Sequence, residues 1–270
     1  MPDSMRPRAL QIEDVELFEF PLQTRLPFRY GMAEMRSLPH CLLRVRVRIG
    51  SRSWIGHAAD HLPPRWFTKR PEQTESEEQE ELWQVIRHAA RSAIGAEAPS
   101  AFAWWRDAYE AQLAWGHGLG LPPLLAHFGV TLVERAVIDA VCEAEALPFH
   151  DALRRGLLGF DPAAVHPALA GFEWKADFPE HPLRRVFLRQ TLGLGDPVSA
   201  ADLPADARLG DGLPETLSDM IAAYGLRHFK IKLSGAVERD RAQLDRIHRC
   251  LESCKVEDGL FTLDGNEQFA

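Results

Sequence analysis

The chain has 270 residues, of which 46% are hydrophobic and 26% are charged, a composition typical of a soluble globular protein with one or two domains. The formal net charge is −8 and the lysines and arginines are scattered, which argues against nucleic-acid binding. No stretch approaches the roughly 18 apolar residues of a membrane-spanning helix, and the first residues lack the apolar core of a secretory signal. We therefore expect neither nucleic acid nor a membrane as a partner.

The cysteines show neither a CxxC motif nor paired zinc spacing, so we predict reduced thiols and a cytoplasmic location. They are Cys41, Cys142, Cys250 and Cys254. The last two fall on one helical face, an arrangement that a soft metal could use. Two buried helix thiols are the commoner case, and we prefer that interpretation.

The first half of the chain begins with an antiparallel meander. The pattern predicts three strands, at residues 12–20, 40–49 and 53–58. In the second strand Arg44, Arg46 and Arg48 alternate with apolar residues, as in a sheet with one solvated face. These arginines could also recognise an anion, although a solvated face is the simpler explanation.

His57, near the end of the predicted third strand, and His61, just after it, are spaced so that a helix would place both imidazoles on one face. The prolines at 63 and 64 indicate a loop instead, and the sequence shows no third ligand beside them. We predict that both histidines are polar loop residues.

Helices come next, at residues 74–95, 99–114 and 122–146, which makes the first half an α+β domain. The first helix has Thr74 as its N-cap, an acidic first turn and a closing glycine. Trp104, Trp105 and Trp115 are predicted to belong to the core of this domain.

The region 150–184 contains four prolines and little periodicity, so we predict an irregular connection. From residue 185 the pattern becomes β-α-β-α-β, which is typical of a parallel sheet or an α/β barrel. The predicted strands are 185–195, 228–235 and 260–266, and the predicted helices are 214–225 and 236–255.

Lys230 and Lys232 lie on one face of the predicted strand "FKIKL", with Cα atoms roughly 6.6 Å apart. Burying two neighbouring ammonium groups costs several kcal/mol unless carboxylates, an anion or deprotonation offset it. Desolvation and a cationic neighbour both lower a lysine pKa, which would suit a general base. Alternatively, the strand lies at a sheet edge and its lysines are solvated. This stretch alone leaves both interpretations open.

Asp264 and Asn266 end the next predicted strand, "FTLDGN", on the face opposite its apolar residues. Ligands of parallel sheets and barrels bind at this carboxyl end, and a carboxylate there is a suitable Mg²⁺ ligand. An Asp-Gly turn is the simpler alternative. The two polar pairs on neighbouring strands together favour a functional site.

"KIK" on one strand followed by "DGN" on the next resembles the enolase superfamily, in its mandelate racemase and muconate-lactonizing branch. Residues 133–153 resemble that branch's helix signature, the meander its capping domain, and residues 25–35 its mobile specificity loop. Three features depart from the family pattern: Cys142-Glu143 replaces a usual Gly-Lys, "GHAAD" replaces a usual Gly-Glu turn, and the stretch 154–184 is longer than is typical.

The resemblance implies an α+β capping domain at 1–125, followed by a (β/α)₇β TIM-type barrel domain whose first three strands lie within 126–270. It also implies abstraction of the proton α to a carboxylate, with Mg²⁺ stabilising the resulting enediolate. Lys232 would be the general base and Lys230 its electrostatic partner. Asp264 would bind the metal, with Asn266 as a nearby polar contact.

The resemblance further implies a small-molecule carboxylate substrate and an isomerase or lyase: a racemase, epimerase, cycloisomerase or dehydratase. We expect a homo-oligomer at full length. The family's other two metal-binding carboxylates come from later strands, and a barrel needs about 250 residues, whereas the barrel pattern starts here near residue 185. We therefore expect the 270 residues to be a fragment, or an early-terminated version, that is inactive by itself.

Two other functions remain open. A barrel enzyme could use one of the two lysines to form a Schiff base with a carbonyl substrate. A non-catalytic remnant or interaction module could instead keep both lysines as structural ion-pair partners.

Overall fold

A computed structural model describes residues 6–30, 33–63, 65–68, 70 and 72–265. Its contacts divide the chain into two compact units. The first consists of Met1–Leu22 with Ser37–Pro182, and the second of Gln23–Arg36 with Leu183–Ala270. Each unit contains a separate cluster of buried apolar side chains.

A four-stranded sheet in the order β3-β2-β1-β4 lies mainly in the first unit, and the parts of β1 and β2 within Gln23–Arg36 belong to the second. Its strands are β1 (Leu10–Tyr30), β2 (Ala33–Ile49), β3 (Arg52–His61) and β4 (Glu97–Ala98). β2 and β3 are antiparallel, from the pair His40 and His61 to the pair Ile49 and Arg52. The three predicted strands are therefore confirmed and are longer than predicted. The loop predicted for His57 and His61 is wrong, because the β2 ladder continues to the end of β3.

One face of β2 is buried and the other is solvated, as its alternation predicts. The buried side chains are Cys41, Leu43, Val45 and Val47, all 0% exposed. The outward arginines form ion pairs with carboxylates of β1: Arg44 with Glu16, Arg46 with Asp14 and Arg48 with Glu13. Such exposed ion pairs contribute little to stability, and here they neutralise the positive charge of the outward arginines.

Three helices cover the buried face: α1 (Glu75–Ala93), α2 (Ala101–Gly118) and α3 (Pro123–Glu145). The predicted N-cap at Thr74 is confirmed as a capping box, because its hydroxyl accepts from Glu77 N and the Glu77 carboxylate accepts from Thr74 N. α3 packs against α1, α2 and β3. Trp104 is buried in this core, with Trp105 and Trp115 packed against it.

Two glycines allow α3 to lie in direct backbone contact with its neighbours. A Cβ atom at Gly129 would lie 2.1 Å from the carbonyl oxygen of Val85 in α1. One at Gly56 in β3 would lie 2.0 Å from the carbonyl oxygen of Ala136 in α3. Only glycine fits at these two crossings.

The predicted domain boundary at residues 125/126 falls near the start of α3, inside the first compact unit. The predicted boundary divides the chain by resemblance to family domains, whereas the compact units divide it by contacts. The boundary therefore stays a prediction. The connection after α3 contains α4 (Phe149–Arg154), two 3₁₀ turns at 162–164 and 167–169, and α5 (Trp174–Asp177). Apart from these short elements, region 150–184 is irregular, as predicted.

Glu134 on α3 provides a pH-dependent test of this packing. Burial raises the pKa of its carboxyl to about 7, and Arg135 opposes the shift only in part. Because this pKa lies above the unfolded value, the folded state binds the proton more tightly, and stability falls as pH rises from about 4.5 to about 7. We expect Glu134→Gln to raise the free energy of unfolding by on the order of 1–3 kcal/mol at about pH 8, and to change it little at about pH 4. Urea unfolding at the two pH values measures the difference, and a pH-independent effect would contradict the burial argument.

The second unit contains a three-stranded parallel sheet in the order β5-β6-β7. Its strands are β5 (Arg189–Leu192), β6 (His228–Lys232) and β7 (Leu260–Asp264), and its helices are α6 (Leu217–Tyr224) and α7 (Val237–Ser253). The predicted β-α-β-α-β order is therefore confirmed. Cys250 is buried in the core of this unit with Cys254 packed against it, and all four cysteines are free thiols.

Among the residues that the structure describes, no helix is long and apolar enough to cross a membrane.

Candidate active site

β6 is the central strand of the parallel sheet, since it pairs with β5 on one side and β7 on the other. The alternative interpretation, a sheet-edge strand with solvated lysines, is therefore excluded, and the predicted parallel strand is confirmed. Phe229 and Ile231 are buried in the apolar core with side chains from α6 and α7. Lys230 and Lys232 alternate with them, and the side chain of Lys232 is only 9% exposed.

The sheet register brings the carboxylate to the lysines. Lys232 and Asp264 are Cα partners in the β6–β7 ladder, at the carboxyl end of both strands. Oδ2 of Asp264 lies 2.6 Å from Nζ of Lys230 and 2.8 Å from Nζ of Lys232. We call these three residues the lysine–aspartate cluster. The sequence predicted the shared face of all three, and the structure shows that both ammonium groups meet at one oxygen.

The charges of the cluster make it suited to an anion. With both lysines protonated, the three side chains carry two positive charges and one negative charge. The carboxylate offsets part of the desolvation cost of the ammonium groups, and a bound anion would offset the rest. The remaining N–H groups of an ammonium can donate to such an anion. The cluster can therefore bind a carboxylate or stabilise a negatively charged oxygen.

Removing the carboxylate should destabilise the second unit. Asp264→Ala leaves two ammonium groups close together with one counter-ion fewer. Breaking a fully buried pair costs about 3–5 kcal/mol, and we expect about 2–3 kcal/mol here because Asp264 and Lys230 remain partly exposed. Amide hydrogen exchange in β6 and β7 measures this change. In Asp264→Ala/Lys230→Met the repulsion between the two ammonium groups is also removed, so protection should partly recover; equal loss in both variants would contradict the argument.

The described residues do not by themselves form a magnesium site. Mg²⁺ takes six oxygen ligands in near-ideal octahedral geometry, usually including one or two carboxylates and several waters. Here Asp264 provides one carboxylate, and its Oδ2 is engaged by both lysines. Across the parts of the chain that the structure describes, no group of three or more His, Cys, Asp or Glu side chains could hold a metal ion. The predicted polar contact, Asn266, lies outside the described residues.

Arg25, in the segment predicted to be a mobile specificity loop, is bound within the second unit. Its guanidinium pairs with both carboxylate oxygens of Asp211, at 2.7 and 2.6 Å, and donates to the carbonyl oxygens of Leu213 and Pro214. The hydrogen bond from Arg25 holds the pKa of the Asp211 carboxyl down at about 2. These contacts fix one point of the segment, whose mobility stays a prediction.

Asp240 is a site-shaping residue that sequence reasoning missed. Its buried carboxylate accepts from Ser234 N and Gly235 N at 2.8 and 3.0 Å, and from Ser234 Oγ at 2.7 Å. Burial raises its pKa, but these hydrogen bonds outweigh burial and lower it. Asp240 thereby holds the turn that directly follows the lysine strand. The sequence signal for this contact is an aspartate in the first turn of α7, a few residues after the "SG" whose backbone N–H groups it accepts from.

The structure is similar to solved structures of the enolase superfamily. A muconate lactonizing enzyme from Pseudomonas fluorescens, complexed with muconolactone, matches with a TM-score of 0.59 and 19% identity over 96% of this chain. An enolase from Bradyrhizobium, complexed with magnesium and mandelic acid, matches with a TM-score of 0.58 and 17% identity over 96%. A dipeptide epimerase from Methylococcus capsulatus, complexed with Mg and a dipeptide, matches with a TM-score of 0.53 and 16% identity over 96% of this chain. The predicted resemblance is confirmed at the level of the fold.

The chain spans about half of these proteins, covering 54%, 55% and 55% of their respective lengths. No family model matches the sequence. No curated protein matches it either. The likeness therefore establishes a common fold, and the activity is inferred below from the site.

Proposed function

We propose that the chain belongs to the mandelate racemase and muconate-lactonizing branch of the enolase superfamily, with a capping domain and the first three strands of a barrel. We further propose that the lysine–aspartate cluster is where a proton α to a carboxylate is abstracted. The observation that carries this proposal is the meeting of two ammonium groups at one carboxylate, at the carboxyl end of the central parallel strand. The muconate lactonizing enzyme and the dipeptide epimerase among the similar structures favour an isomerase.

Each residue of the cluster has a distinct proposed role. Lys232, the more buried of the two lysines, accepts the α-proton at Nζ when it is in its neutral form. Lys230 stays charged and donates to the substrate oxygen on which negative charge develops. Asp264 holds both nitrogens at one point, so the proton acceptor and the charged donor reach the substrate together.

Magnesium accompanies two of the similar structures. Since the described residues of this chain supply one carboxylate to such an ion, no step of the proposed reaction is routed through it. A metal-binding role for Asp264 and a contact from Asn266 stay predictions. Homo-oligomer formation and a cytoplasmic location also stay predictions.

Proton exchange tests the proposal directly. The 270-residue chain, and any longer product that its gene encodes, is incubated in D₂O with a panel of α-hydroxy and α-amino carboxylates, with MgCl₂ or with EDTA. Proton NMR then follows loss of the α-proton signal. We expect exchange with at least one carboxylate by the full gene product; no exchange under any condition would contradict the proposal.

The same samples separate the proposal from Schiff-base chemistry. An enolase-type base forms no covalent bond with the substrate, whereas a Schiff-base lysine is trapped by borohydride in the presence of a carbonyl compound. We expect no added mass on the peptide that contains Lys230 and Lys232. A trapped adduct would support the Schiff-base alternative.

A further inference from the structure

A second site lies on the solvated face of the first unit's sheet, where His40 of β2 faces His61 of β3. The two residues are Cα partners in the antiparallel ladder. Their Nδ1 atoms lie 2.9 Å apart, and their ring centroids are 4.8 Å apart with the planes tilted by 51°. In this state one ring donates Nδ1–H to the unprotonated Nδ1 of the other. The two Nδ1 atoms therefore face each other across the ladder.

We propose that His40 and His61 form a two-imidazole site for a divalent transition-metal ion of octahedral or tetragonal geometry, such as Ni²⁺ or Cu²⁺. Imidazole nitrogens bind such ions at about 2.0–2.1 Å, so a separation of 2.9 Å corresponds to an N–metal–N angle of about 90°. That angle is the one between neighbouring ligands in octahedral and square-planar complexes. A tetrahedral ion would require about 3.3 Å between the nitrogens.

The ladder holds the pair in position before any ion binds. Leu62 N donates to the carbonyl oxygen of Pro39 at 3.0 Å, so main-chain pairing continues past the histidines. The carboxylate of Asp60 accepts from His61 N at 2.9 Å and from Arg135 Nη2 at 2.9 Å, which ties the end of β3 to α3. Because the chain on both sides is fixed, little conformational entropy is lost when an ion bridges the rings.

Binding requires only a change of tautomer. The ring that carries its proton on Nδ1 moves it to Nε2, so both Nδ1 lone pairs face the ion and the rings release no net proton. The pair provides two ligands, and water completes the coordination sphere. This agrees with the absence, in the described part of the chain, of any group of three or more His, Cys, Asp or Glu side chains suited to a metal. The two histidines belong to the first unit, and the lysine–aspartate cluster belongs to the second.

Calorimetric titration of the whole chain with Ni²⁺ tests the proposal, using His40→Asn, His61→Asn, the double variant and a control. The control is His117→Asn, because His117 is an exposed histidine in the last turn of α2. We expect one Ni²⁺ per chain in the unchanged protein and in the control. Each single variant should bind at least about tenfold more weakly, because the second imidazole is no longer held beside the first. The double variant should be little worse than either single variant.

Electron paramagnetic resonance of one equivalent of Cu²⁺ gives a second measurement that does not depend on affinity. We expect nitrogen hyperfine splitting from two imidazoles in the unchanged protein and in His117→Asn, and from fewer in His40→Asn. Circular dichroism confirms that each variant is folded. Equal Ni²⁺ affinity in the unchanged and double-variant proteins, or an unaltered Cu²⁺ spectrum in His40→Asn, would overturn the proposal.

Discussion

Lys232→Met, made in whichever product of the gene exchanges the α-proton, is expected to slow that exchange by a factor of about 10²–10⁴, the contribution typical of a positioned general base. The same change should leave the free energy of unfolding unchanged or slightly higher. Methionine has a similar length and no charge, and replacing a buried ion-pair partner with a well-packed apolar side chain is often neutral or stabilising. With Lys232 gone, Asp264 still pairs with Lys230 at 2.6 Å. Proton NMR measures the exchange rate, and urea unfolding of the same protein measures the free energy of unfolding.

Two comparison variants make the result specific. Lys255→Met removes an exposed lysine just after α7 and should change neither quantity. Lys230→Met should slow exchange less than Lys232→Met, because it removes the charged donor and keeps the proton acceptor. If Lys232→Met retained the full exchange rate, Lys232 would not be the base. If it lost exchange only together with folding, the role of Lys232 would be structural.

Gly129→Ala should destabilise the first unit by about 3 kcal/mol or more. The added methyl group would lie 2.1 Å from Val85 O, 2.5 Å from Val85 C and 2.9 Å from Ile86 N. All three are backbone atoms in the middle of α1, so no side-chain rotation relieves the overlap. α3 would have to move away from α1 and open the packing that both helices share with the sheet. Urea unfolding followed by far-UV circular dichroism measures the change.

Gly118→Ala is the matched control for this prediction. Gly118 is also a helical glycine, at the end of α2, and no atom lies within 4 Å of the position its Cβ would take. Alanine restricts the unfolded chain there without a clash, so we expect a gain of about 0.5–1 kcal/mol. Similar effects of the two substitutions would mean that helix propensity, and not the α1–α3 contact, explains the loss at Gly129.

Local pattern was sufficient for the order of the elements and for the buried faces of β2 and β6, but Phe261 and Leu263 of β7 are about half exposed. Alternation predicted which side of β2 is solvated, and the cap at Thr74 predicted where α1 begins. The same alternation placed Lys230, Lys232 and Asp264 on one face, because apolar neighbours alternate with each of them. These features depend on residues close together in the chain, which is why the sequence alone is enough.

The register between strands could not be predicted from local sequence pattern. A shift of one residue exchanges the two faces of a strand, and the sequence does not show which residues lie opposite each other. The acidic partners of the β2 arginines and the pairing of His40 with His61 both depend on register. The sequence predicts a loop at His61 because prolines follow it, whereas the ladder that keeps His61 in β3 depends on register. Asp240 was missed because its contacts depend on the geometry of a turn.

The division into two units has a spectroscopic consequence. All seven tryptophans, at positions 54, 66, 83, 104, 105, 115 and 174, belong to the first unit. Intrinsic tryptophan fluorescence therefore reports the unfolding of the first unit and is nearly blind to the sheet that carries the lysine–aspartate cluster. A single tryptophan placed in the second unit, for example by Phe261→Trp on β7, would give that sheet an optical signal of its own.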